Sequence, residues 1–348
     1  MALAEHVADP RRDRRPSGLG AAPARVSALA AVRTAVRDFL ATVAVPGEVC
    51  VAVSGGADSL ALAEATAYVL RHRDVRTRAL VVDHGLQADS AAVASEAATV
   101  VKGLGVDAVE VHAVHVVGKG GPEAAARAAR YHALREALPN GEGLVLLGHT
   151  QDDQAETVLL GLGRGSGPRS LAGMRPHDPP WGRPLLGITR AQTVAACTEL
   201  GLEPWQDPHN ADPRFTRVRL RTEALPLLED VLSGGVAPAL ARTAAQLRED
   251  TEALDTLAAR VHERAVREDD LDVAVLAAEP AALRRRVLRR WLLDSGVREL
   301  TDAHLRSVDA LVARWRGQGG VWLPGNLEAR RRRGRLSLAG PEPTTRGE

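Results

Sequence analysis

Residues 49–59 read Val-Cys-Val-Ala-Val-Ser-Gly-Gly-Ala-Asp-Ser. The five apolar residues predict a buried strand, the two glycines a tight turn, and the polar residues after them the first turn of a helix. Amide groups of such a turn carry partial positive charge and lack partners within the helix, so they suit a phosphate group. Gly55 and Gly56 let the backbone approach a ligand because they have no side chain. The alternative is a tight strand-to-helix connection that binds nothing.

Asp58 favours the ligand-binding interpretation. A carboxylate beside a phosphate is repulsive unless it holds a metal ion. We therefore expect a nucleotide site with a metal anchor, in which the hydroxyls of Ser54 and Ser59 add hydrogen bonds. The stretch lacks the Gly-Lys-Ser/Thr of the Walker loop and the G-x-G-x-x-G of dinucleotide folds. It resembles the pyrophosphate-binding loop of enzymes that split ATP between its α and β phosphates.

Length and composition narrow the class of protein. The chain has 348 residues, 45% of them hydrophobic, which is enough for two domains with full cores. No run of 18 apolar residues predicts a membrane span, and the N-terminus lacks the apolar block of a signal peptide, so we expect a cytoplasmic protein. Cys50 and Cys197 are not spaced as a metal or redox pair. A net charge of +1 argues against a uniformly basic nucleic-acid binder but allows local basic faces.

The pattern along the chain predicts three parts. Residues 1–24 lack periodicity and predict a flexible tail. Residues 25–222 alternate short apolar runs with helical patterns, which predicts an α/β fold with a doubly wound parallel sheet. The predicted strands are 48–53, 79–82, 109–117 and 144–147, and the predicted helices between them are 58–70, 90–104 and 123–138. Residues 223–348 are mostly helical in pattern and end in a predicted hairpin over 321–338.

Three polar motifs follow predicted strands of the first domain: residues 54–59, 83–86 and 148–157. Ligands of parallel α/β sheets bind beyond the carboxyl ends of the strands. The three motifs are therefore expected to converge on one crevice. A capping box formed by Thr189 and Gln192 predicts a further helix that ends near Gly201.

The motif at 148–157 places acidic residues at the start of a helix. Asp153 and Glu156 are three residues apart and share a face, with Asp152 beside them. Acidic residues also stabilise helix N-termini through the dipole, which is the simpler explanation. Opposite a phosphate loop, however, two carboxylates could hold Mg²⁺, accept hydrogen bonds from a substrate ammonium, or act as a base.

Arginines form several candidate anion sites. Arg127 and Arg130 lie on adjacent turns of a predicted helix and could neutralise a leaving pyrophosphate, although spacing alone favours an exposed face with Glu123 paired to Arg127. Arg217, Arg219 and Arg221 would line one face of an extended segment but would spread around a helix. Two further clusters are candidates for RNA backbone contacts or for solvated faces: Arg284, Arg285, Arg286, Arg289 and Arg290, and Arg330 to Arg333 with Arg335.

Taken in order, these segments resemble the tRNA(Ile)-lysidine synthetase family of the PP-loop superfamily. The resemblance covers roughly residues 45–225 and rests on these blocks: residues 54–59, 84–86, 123–131, 148–157, 164–167, 171–174, 183–186 and 207–221. Arg-Gly-Ser-Gly followed by Leu-Ala-Gly-Met is the most discriminating part, because the phosphate loop is shared more widely. Gln87 and Val218 depart from the family pattern, where arginine and asparagine are usual, which affects details of nucleotide and RNA contacts.

The resemblance implies a PP-loop ATP-binding catalytic domain over 25–222 and a mostly helical tRNA-binding domain over 223–348. It implies a ligase that uses ATP and Mg²⁺ to adenylate the C2 carbonyl oxygen of the wobble cytidine (position 34) in CAU-anticodon tRNA(Ile). Free L-lysine then displaces AMP through its ε-amine to give lysidine. The implied partners are this tRNA and lysine, with no membrane. The sequence does not determine the oligomeric state, and a homodimer is one of the states that it allows.

The resemblance also implies roles for individual residues. Asp58 and Asp153 would hold Mg²⁺, Asp153 and Glu156 would bind lysine, and Arg127 or Arg130 would face the leaving pyrophosphate. The implied ATP-binding residues are Ser54, Gly55, Gly56, Ala57, Asp58, Ser59, Val82, Asp83 and His149. The implied tRNA or phosphate contacts are Arg164, Arg217, Arg219 and Arg221.

Two other functions stay open. Enzymes of the tRNA 2-thiocytidine type share the phosphate loop but rely on cysteine pairs, and this chain has no C-x-x-C. A non-catalytic adenine-nucleotide sensor that binds RNA would keep the phosphate loop but would not need Asp153 and Glu156.

Overall fold

A computed structural model describes residues 27–85, 89–114, 122–165 and 167–340. The predicted tail and Gln87 lie outside these ranges. The helices are α1 (Ala28–Thr42), α2 (Ala57–Leu70), α3 (Ser90–Lys102), α4 (Pro122–Glu136), α5 (Gln151–Gly163), α6 (Pro168–Leu171), α7 (Arg190–Glu199), α8 (Thr216–Arg219), α9 (Leu225–Val231), α10 (Val236–Ala265), α11 (Val273–Ala277), α12 (Ala281–Asp294) and α13 (Asp302–Ala313). The strands are β1 (Glu48–Val53), β2 (Arg76–Asp83), β3 (Ala108–Ala113), β4 (Leu144–Leu146), β5 (His177–Asp178), β6 (Trp181–Gly182), β7 (Val266–Arg267), β8 (Asp270–Asp272), β9 (Val321–Leu323), β10 (Leu327–Arg332) and β11 (Arg335–Ala339).

The first sheet has the strand order β3-β2-β1-β4-β6-β5. The first five strands in this order are parallel, and β5 pairs antiparallel to β6 at the edge. β2 begins at Arg76, three residues before the predicted start at residue 79. The prediction relied on apolar residues, and the first residues of this strand include Arg76 and Arg78. Arg78 forms ion pairs with Glu48 at 2.7 Å and Glu110 at 2.9 Å on the two neighbouring strands, so a polar residue is accommodated within the sheet.

Helices cover both faces of this sheet, as predicted. Side chains alternate along β1, so Val49 and Val51 enter a core shared with α1, α2, α3 and α7, whereas Cys50 enters a second core with α4. The α/β prediction with a doubly wound sheet is therefore confirmed. The capping box of Thr189 and Gln192 also forms, and α7 follows it.

The C-terminal region is built from α10 to α13 and a five-stranded antiparallel sheet of order β7-β8-β11-β10-β9. Its core includes Leu288, Leu292, Leu311 and Leu336. Helices predominate here and the predicted final hairpin is present as β10 and β11. Strands β7 and β8 were not predicted, because two and three residues are too short to show an alternating pattern.

Helix α10 connects the two regions. Near its start Val236 packs with Ala155 and Leu225, and near its end Ala258 and Val261 join the C-terminal core. The division at residue 222 stays a prediction, since helical backbone runs through it from α8 by a π-helical turn (Leu220–Ala224) into α9.

No single helix among the described residues is long and apolar enough to cross a membrane. By length and composition only, the bent pair Thr216–Val231 and Val236–Ala265 meets the requirements together.

Candidate active site

The glycine turn and the start of α2 form a loop at the carboxyl end of β1. The Ser59 hydroxyl donates to the Gly56 carbonyl at 2.9 Å and accepts from the Ser54 amide at 3.1 Å. Gly55 has φ +81°, a conformation that residues with a Cβ rarely adopt, and its carbonyl accepts from the Trp205 amide at 3.0 Å. The loop is therefore held in shape by its own side chains and by a segment about 150 residues away in sequence.

Gly148 brings the third motif against this loop. A Cβ at this position would lie 3.1 Å from the backbone carbonyl carbon and oxygen of Asp58. Only a residue without a side chain permits this approach without displacement of the backbone. The ends of β1 and β4 are thus in direct contact, which confirms that the first and third motifs converge.

Asp58 points toward α7. Its carboxylate accepts a hydrogen bond from the Thr193 hydroxyl, and its Oδ2 lies 3.6 Å from Nε of Arg190. Burial raises the pKa of Asp58, and the hydrogen bond from Thr193 and the charge of Arg190 offset this only in part. The negative charge at Asp58 is therefore incompletely compensated, a setting that suits a bound cation.

Asp153 is more fully engaged. Its Oδ2 accepts from the amide and hydroxyl of Thr150 at 2.8 and 3.0 Å, which completes an N-terminal capping box of α5. Its Oδ1 accepts from Arg190 at 2.8 Å. Burial raises the pKa of Asp153, but Arg190 and the hydrogen bonds from Thr150 outweigh it, so the pKa lies below its ordinary value. Asp153 thus caps the helix, as the simpler explanation proposed, and also faces the cavity.

Glu156 has no exposed surface. Its Oε1 accepts from Nε of Arg221 at 2.8 Å, and its Oε2 has no hydrogen-bond partner, with Arg217 Nη1 3.9 Å away. Burial raises the pKa of Glu156, and Arg221 offsets the rise in part. One oxygen of a buried carboxylate is therefore left for a further donor.

The segment that carries Arg217 and Arg221 is helical, so the extended alternative is wrong. Arg217 and Arg221 are one helical turn apart and both approach Glu156. Arg219 instead lies exposed and pairs with Glu223 at 2.8 Å. The three arginines do not form one row, and Arg219 stays a predicted RNA contact on the protein surface.

Arg130 and Arg127 occupy different environments. Arg130 lines the cavity, its Nε is buried without a hydrogen-bond partner, and burial lowers its pKa. Arg127 is exposed, donates to the Tyr131 hydroxyl at 3.1 Å and lies over the Tyr131 ring. Of the two candidates for neutralising a leaving group, only Arg130 is among the described residues that line the cavity.

Two histidines near Arg130 are held neutral. Burial and the charges of Arg130 and Arg183 together lower the pKa of His149 to about 3, against the opposing charge of Asp153. Burial and Arg130 also lower the pKa of His84. The Nδ1 atoms of both rings are buried without a hydrogen-bond partner. Neutral imidazoles with a vacant ring nitrogen can accept or donate a hydrogen bond to a base or a sugar.

These groups surround one cavity of about 660 Å³. Most predicted ATP-binding residues line it: Ser54, Gly56, Ala57, Asp58, Ser59, Val82, Asp83 and His149. Gly55 is the exception, and it contributes through the shape of the turn. Asp58, Asp153 and Arg221 belong to the lining, whereas Glu156 does not and only contacts Arg190 and Arg221. Val82 and Asp83 line the cavity at the end of the neighbouring strand β2. All three motifs predicted to converge are present.

Several residues at this site were not predicted from the sequence, among them Arg190, Thr193, Trp205 and Asp207. Arg190 contacts Asp58, Asp153 and Glu156, and its amide donates to Asp152 at 2.8 Å. Thr193 bonds Asp58, and Trp205 and Asp207 line the cavity. The capping box located the start of α7, which indicated where Arg190 lies, but no local pattern indicated that this helix end faces the phosphate loop.

The remaining arginines lie outside the cavity. Arg164 ends α5 and is exposed, about 16 Å along the helix from Asp153. Arg284 is buried against Asp309, so little of its guanidinium is open to a partner, and Arg286 approaches Asp255 at 3.4 Å. Arg289 and Arg290 line a second cavity of about 280 Å³ between α10 and α12.

A metal ion would rely on few protein ligands. Within the described ranges, no three His, Cys, Asp or Glu side chains form a group that could hold a metal ion. Mg²⁺ in nucleotide sites is usually held by one or two carboxylates together with substrate phosphates. Asp58 and Asp153 fit that requirement, since both face Arg190 beside the phosphate loop.

Comparisons with known proteins match two parts of the chain to known families. Residues 29–228 match the PP-loop domain family, an ATP-binding family, and residues 271–337 match the TilS substrate binding domain family. A tRNA(Ile)-lysidine synthase of Rhodococcus opacus is 58% identical over 318 residues, which are 89% of this chain and 95% of the relative. That of Mycolicibacterium paratuberculosis is 59% identical over 320 residues, 90% and 98% of the two chains.

A solved structure shares the fold. The U34-tRNA thiolase NcsA from Methanococcus maripaludis, solved with its 4Fe-4S cluster, has a TM-score of 0.53 at 18% identity and covers 64% of this chain and 79% of its own. At this identity the likeness extends to the fold alone.

Proposed function

The chain belongs to the tRNA(Ile)-lysidine synthase family, and from this premise we propose that it ligates free L-lysine to C2 of the wobble cytidine of CAU-anticodon tRNA(Ile). ATP is split to AMP and pyrophosphate in the process. The observation that carries the proposal is that Asp153 lines the same cavity as the phosphate loop, while the buried Glu156 contacts Arg190 and Arg221 of that lining. A nucleotide sensor has no use for a buried carboxylate whose second oxygen awaits a donor.

The activation step would use the part of the cavity formed by the loop of residues 54–59. The amides at the start of α2, with the hydroxyls of Ser54 and Ser59, would hold the ATP phosphates. Val82 and Asp83 would lie beside the adenosine, with His149 as a neutral hydrogen-bonding group. The C2 carbonyl oxygen of the cytidine attacks the α-phosphate and pyrophosphate leaves. The guanidinium of Arg130 would stabilise the charge that develops on the leaving group.

Asp58 and Asp153 would hold Mg²⁺ together with the phosphates. When bound, the ion neutralises phosphate charge and polarises the phosphorus under attack. The raised pKa of Asp58 supports this role, because its carboxylate lacks a fully compensating cation among the protein groups.

The ligation step would use the carboxylates of Asp153 and Glu156. The ammonium of lysine would donate to Glu156 Oε2 and approach Asp153. Deprotonation must precede attack, and the raised pKa of Glu156 favours it as the acceptor of that proton. The amine nitrogen then forms a bond to C2, the bond from C2 to the adenylate oxygen breaks, and AMP leaves.

The RNA would approach over the arginines near Glu156. A cytidine must leave its stack to reach a cavity of this depth, as unpaired RNA bases commonly do. Arg221 lines the cavity and Arg217 lies 3.9 Å from Glu156. Arg164 and Arg219 would offer exposed charge for the backbone of the anticodon stem–loop. Free lysine, ATP and tRNA meet in the cytoplasm, which we propose as the location. A homodimer stays a proposal.

The position of the cysteines argues against the thiolation alternative. Cys50 and Cys197 are buried on opposite faces of the first sheet, one packed with α4 and the other with α1 and α2. Burial raises the pKa of the Cys197 thiol to about 11 and that of Cys50 above its ordinary value. Two such thiols cannot act on one substrate or ligate one cluster.

The test is incorporation of labelled lysine into a CAU-anticodon tRNA(Ile) transcript with ATP and Mg²⁺. We expect labelling that disappears when the wobble cytidine is replaced by uridine. The variant Asp58→Ala should lose adenylation while it still binds tRNA. Pyrophosphate release that depends on tRNA but is followed by no lysine transfer would contradict the proposed nucleophile. ATP binding without pyrophosphate release would favour the sensor.

A further inference from the structure

Trp322 is exposed on the C-terminal sheet, with 66% of its surface accessible. It lies on β9, the edge strand of that sheet. A single exposed aromatic side chain is not unusual, so the residues around it decide whether this surface binds a partner.

The strand register places arginines on the same face as Trp322. Trp322 lies opposite Glu328, and side chains alternate along a strand, so Arg330 and Arg332 of β10 share its face. Arg335 of β11 pairs with Arg332 and continues this row. The other face of the sheet carries Leu323, Ala329 and Leu336 into the core.

The face carries more positive than negative charge, since Arg330, Arg332 and Arg335 share it with Glu328 and with Asp272, which lies opposite Arg335 on β8. Glu328 is buried at its base and forms an ion pair with Arg330. Arg332 and Arg335 are exposed, and within the described residues no salt bridge joins either of them to a carboxylate. From Glu328 to Arg332 the row is about 13 Å long, which is enough for more than one phosphate group.

We propose that this face is a stacking platform for an unpaired nucleotide of the tRNA, with its base on the Trp322 indole and its neighbouring phosphates on Arg332 and Arg335. The inference rests on the proposed function, which supplies tRNA as the substrate, and it adds a second contact remote from the cavity. Aromatic side chains flanked by arginines recognise single-stranded RNA, because every base offers a face for stacking and every phosphate a charge. The charge complementarity favours a polyanion over a second copy of this chain.

Binding of a fluorescently labelled tRNA(Ile) transcript to the full-length protein, measured by anisotropy without ATP or lysine, tests the platform. Trp322→Ala should weaken binding about tenfold, and Trp322→Phe should restore most of it because the ring is retained. The double variant Arg332→Gln/Arg335→Gln should weaken binding and flatten its dependence on salt. Arg298→Gln, an exposed arginine outside the sheet, is the matched control and should bind like the wild type. In turnover, Trp322→Ala should raise KM for tRNA and leave kcat at saturating tRNA unchanged.

Wild-type affinity in both Trp322→Ala and the double arginine variant would overturn the platform. A change of oligomeric state in Trp322→Ala with unchanged tRNA affinity would also overturn it, in favour of an interface between copies. The binding assay does not depend on catalysis. A wild-type protein that binds tRNA without forming lysidine would contradict the proposed function. The binding affinities of the variants would still show whether Trp322, Arg332 and Arg335 contact the tRNA.

Discussion

Arg221 donates from Nε to Glu156 Oε1 at 2.8 Å and leaves the other oxygen of that buried carboxylate without a hydrogen bond. This hydrogen bond determines which oxygen of Glu156 is left for a ligand. Arg221 compensates part of the charge and fixes the orientation of the carboxylate, so Oε2 is the atom available to a ligand. In this proposal the ligand is the ammonium of lysine.

Glu156→Gln should therefore impair lysine use more than ATP use. The amide keeps the size of the side chain but loses the charge, and a hydrogen bond to a charged group contributes roughly 1.5–3 kcal/mol. We expect KM for lysine to rise at least about tenfold. Pyrophosphate release before lysine addition should change little. Glu223→Gln, which alters an exposed carboxylate, is the control. An equal rise of KM for ATP and lysine would assign Glu156 to general site structure instead.

Arg190 lies beside three carboxylates of the site. It lies 2.8 Å from Asp153, 3.6 Å from Asp58 and 3.9 Å from Glu156. Arg190→Gln should lower the free energy of unfolding by roughly 3 kcal/mol, since partly buried charges lose their partner. Added Mg²⁺ should then raise the melting temperature of the variant more than that of the wild type, because a cation bound at these carboxylates replaces the lost charge. Equal Mg²⁺ effects on both proteins would argue against a metal site at Asp58 and Asp153.

His149 makes the stability of the protein depend on pH. Burial lowers its pKa from 6.5 to about 3, so between these values the unfolded chain binds a proton that the folded protein refuses. Stability is therefore lost as the pH falls below 6.5, with a cost of about 2 kcal/mol at pH 5. His149→Gln should remove this part of the pH dependence. Denaturant unfolding of both proteins at pH 7.5, 6 and 5 measures it, and parallel pH dependence in the two would refute the assignment.

The part of the site that could be predicted from sequence is the part coded by local segments. Ser54 to Ser59 and Gly148 to Glu156 each contain a strand end, a turn and a helix start, and parallel topology alone brings them to one edge. The loop, the acidic pair and four strands could therefore be predicted without contacts between distant residues.

Contacts made between distant elements could not be predicted. Arg190 and Thr193 lie at the start of a helix whose capping box was recognised, but the packing of α7 against α2 aims them at Asp58. The helical form of residues 216–224 was one of two alternatives, and burial of Val218 together with the pairing of Arg217 and Arg221 to Glu156 decides between them. Propensity alone is too weak to make that choice.

Arg284 shows why an arginine cluster is a poor guide to RNA binding. Only 8% of its surface is exposed, and its guanidinium donates hydrogen bonds to both carboxylate oxygens of Asp309 on α13 and to the Glu279 carbonyl.

Arg284→Ala leaves Asp309 buried beside Arg285 alone, so we expect the free energy of unfolding to fall by roughly 3–5 kcal/mol. Arg289→Ala, five residues along the same helix, should change it by less than about 0.5 kcal/mol. Replacing both partners, with Arg284→Met and Asp309→Leu, should recover most of the lost stability, because no unpaired charge is then buried. Denaturant unfolding measures all three. A variant Arg284→Ala of wild-type stability but weakened tRNA affinity would return this residue to the RNA-binding surface.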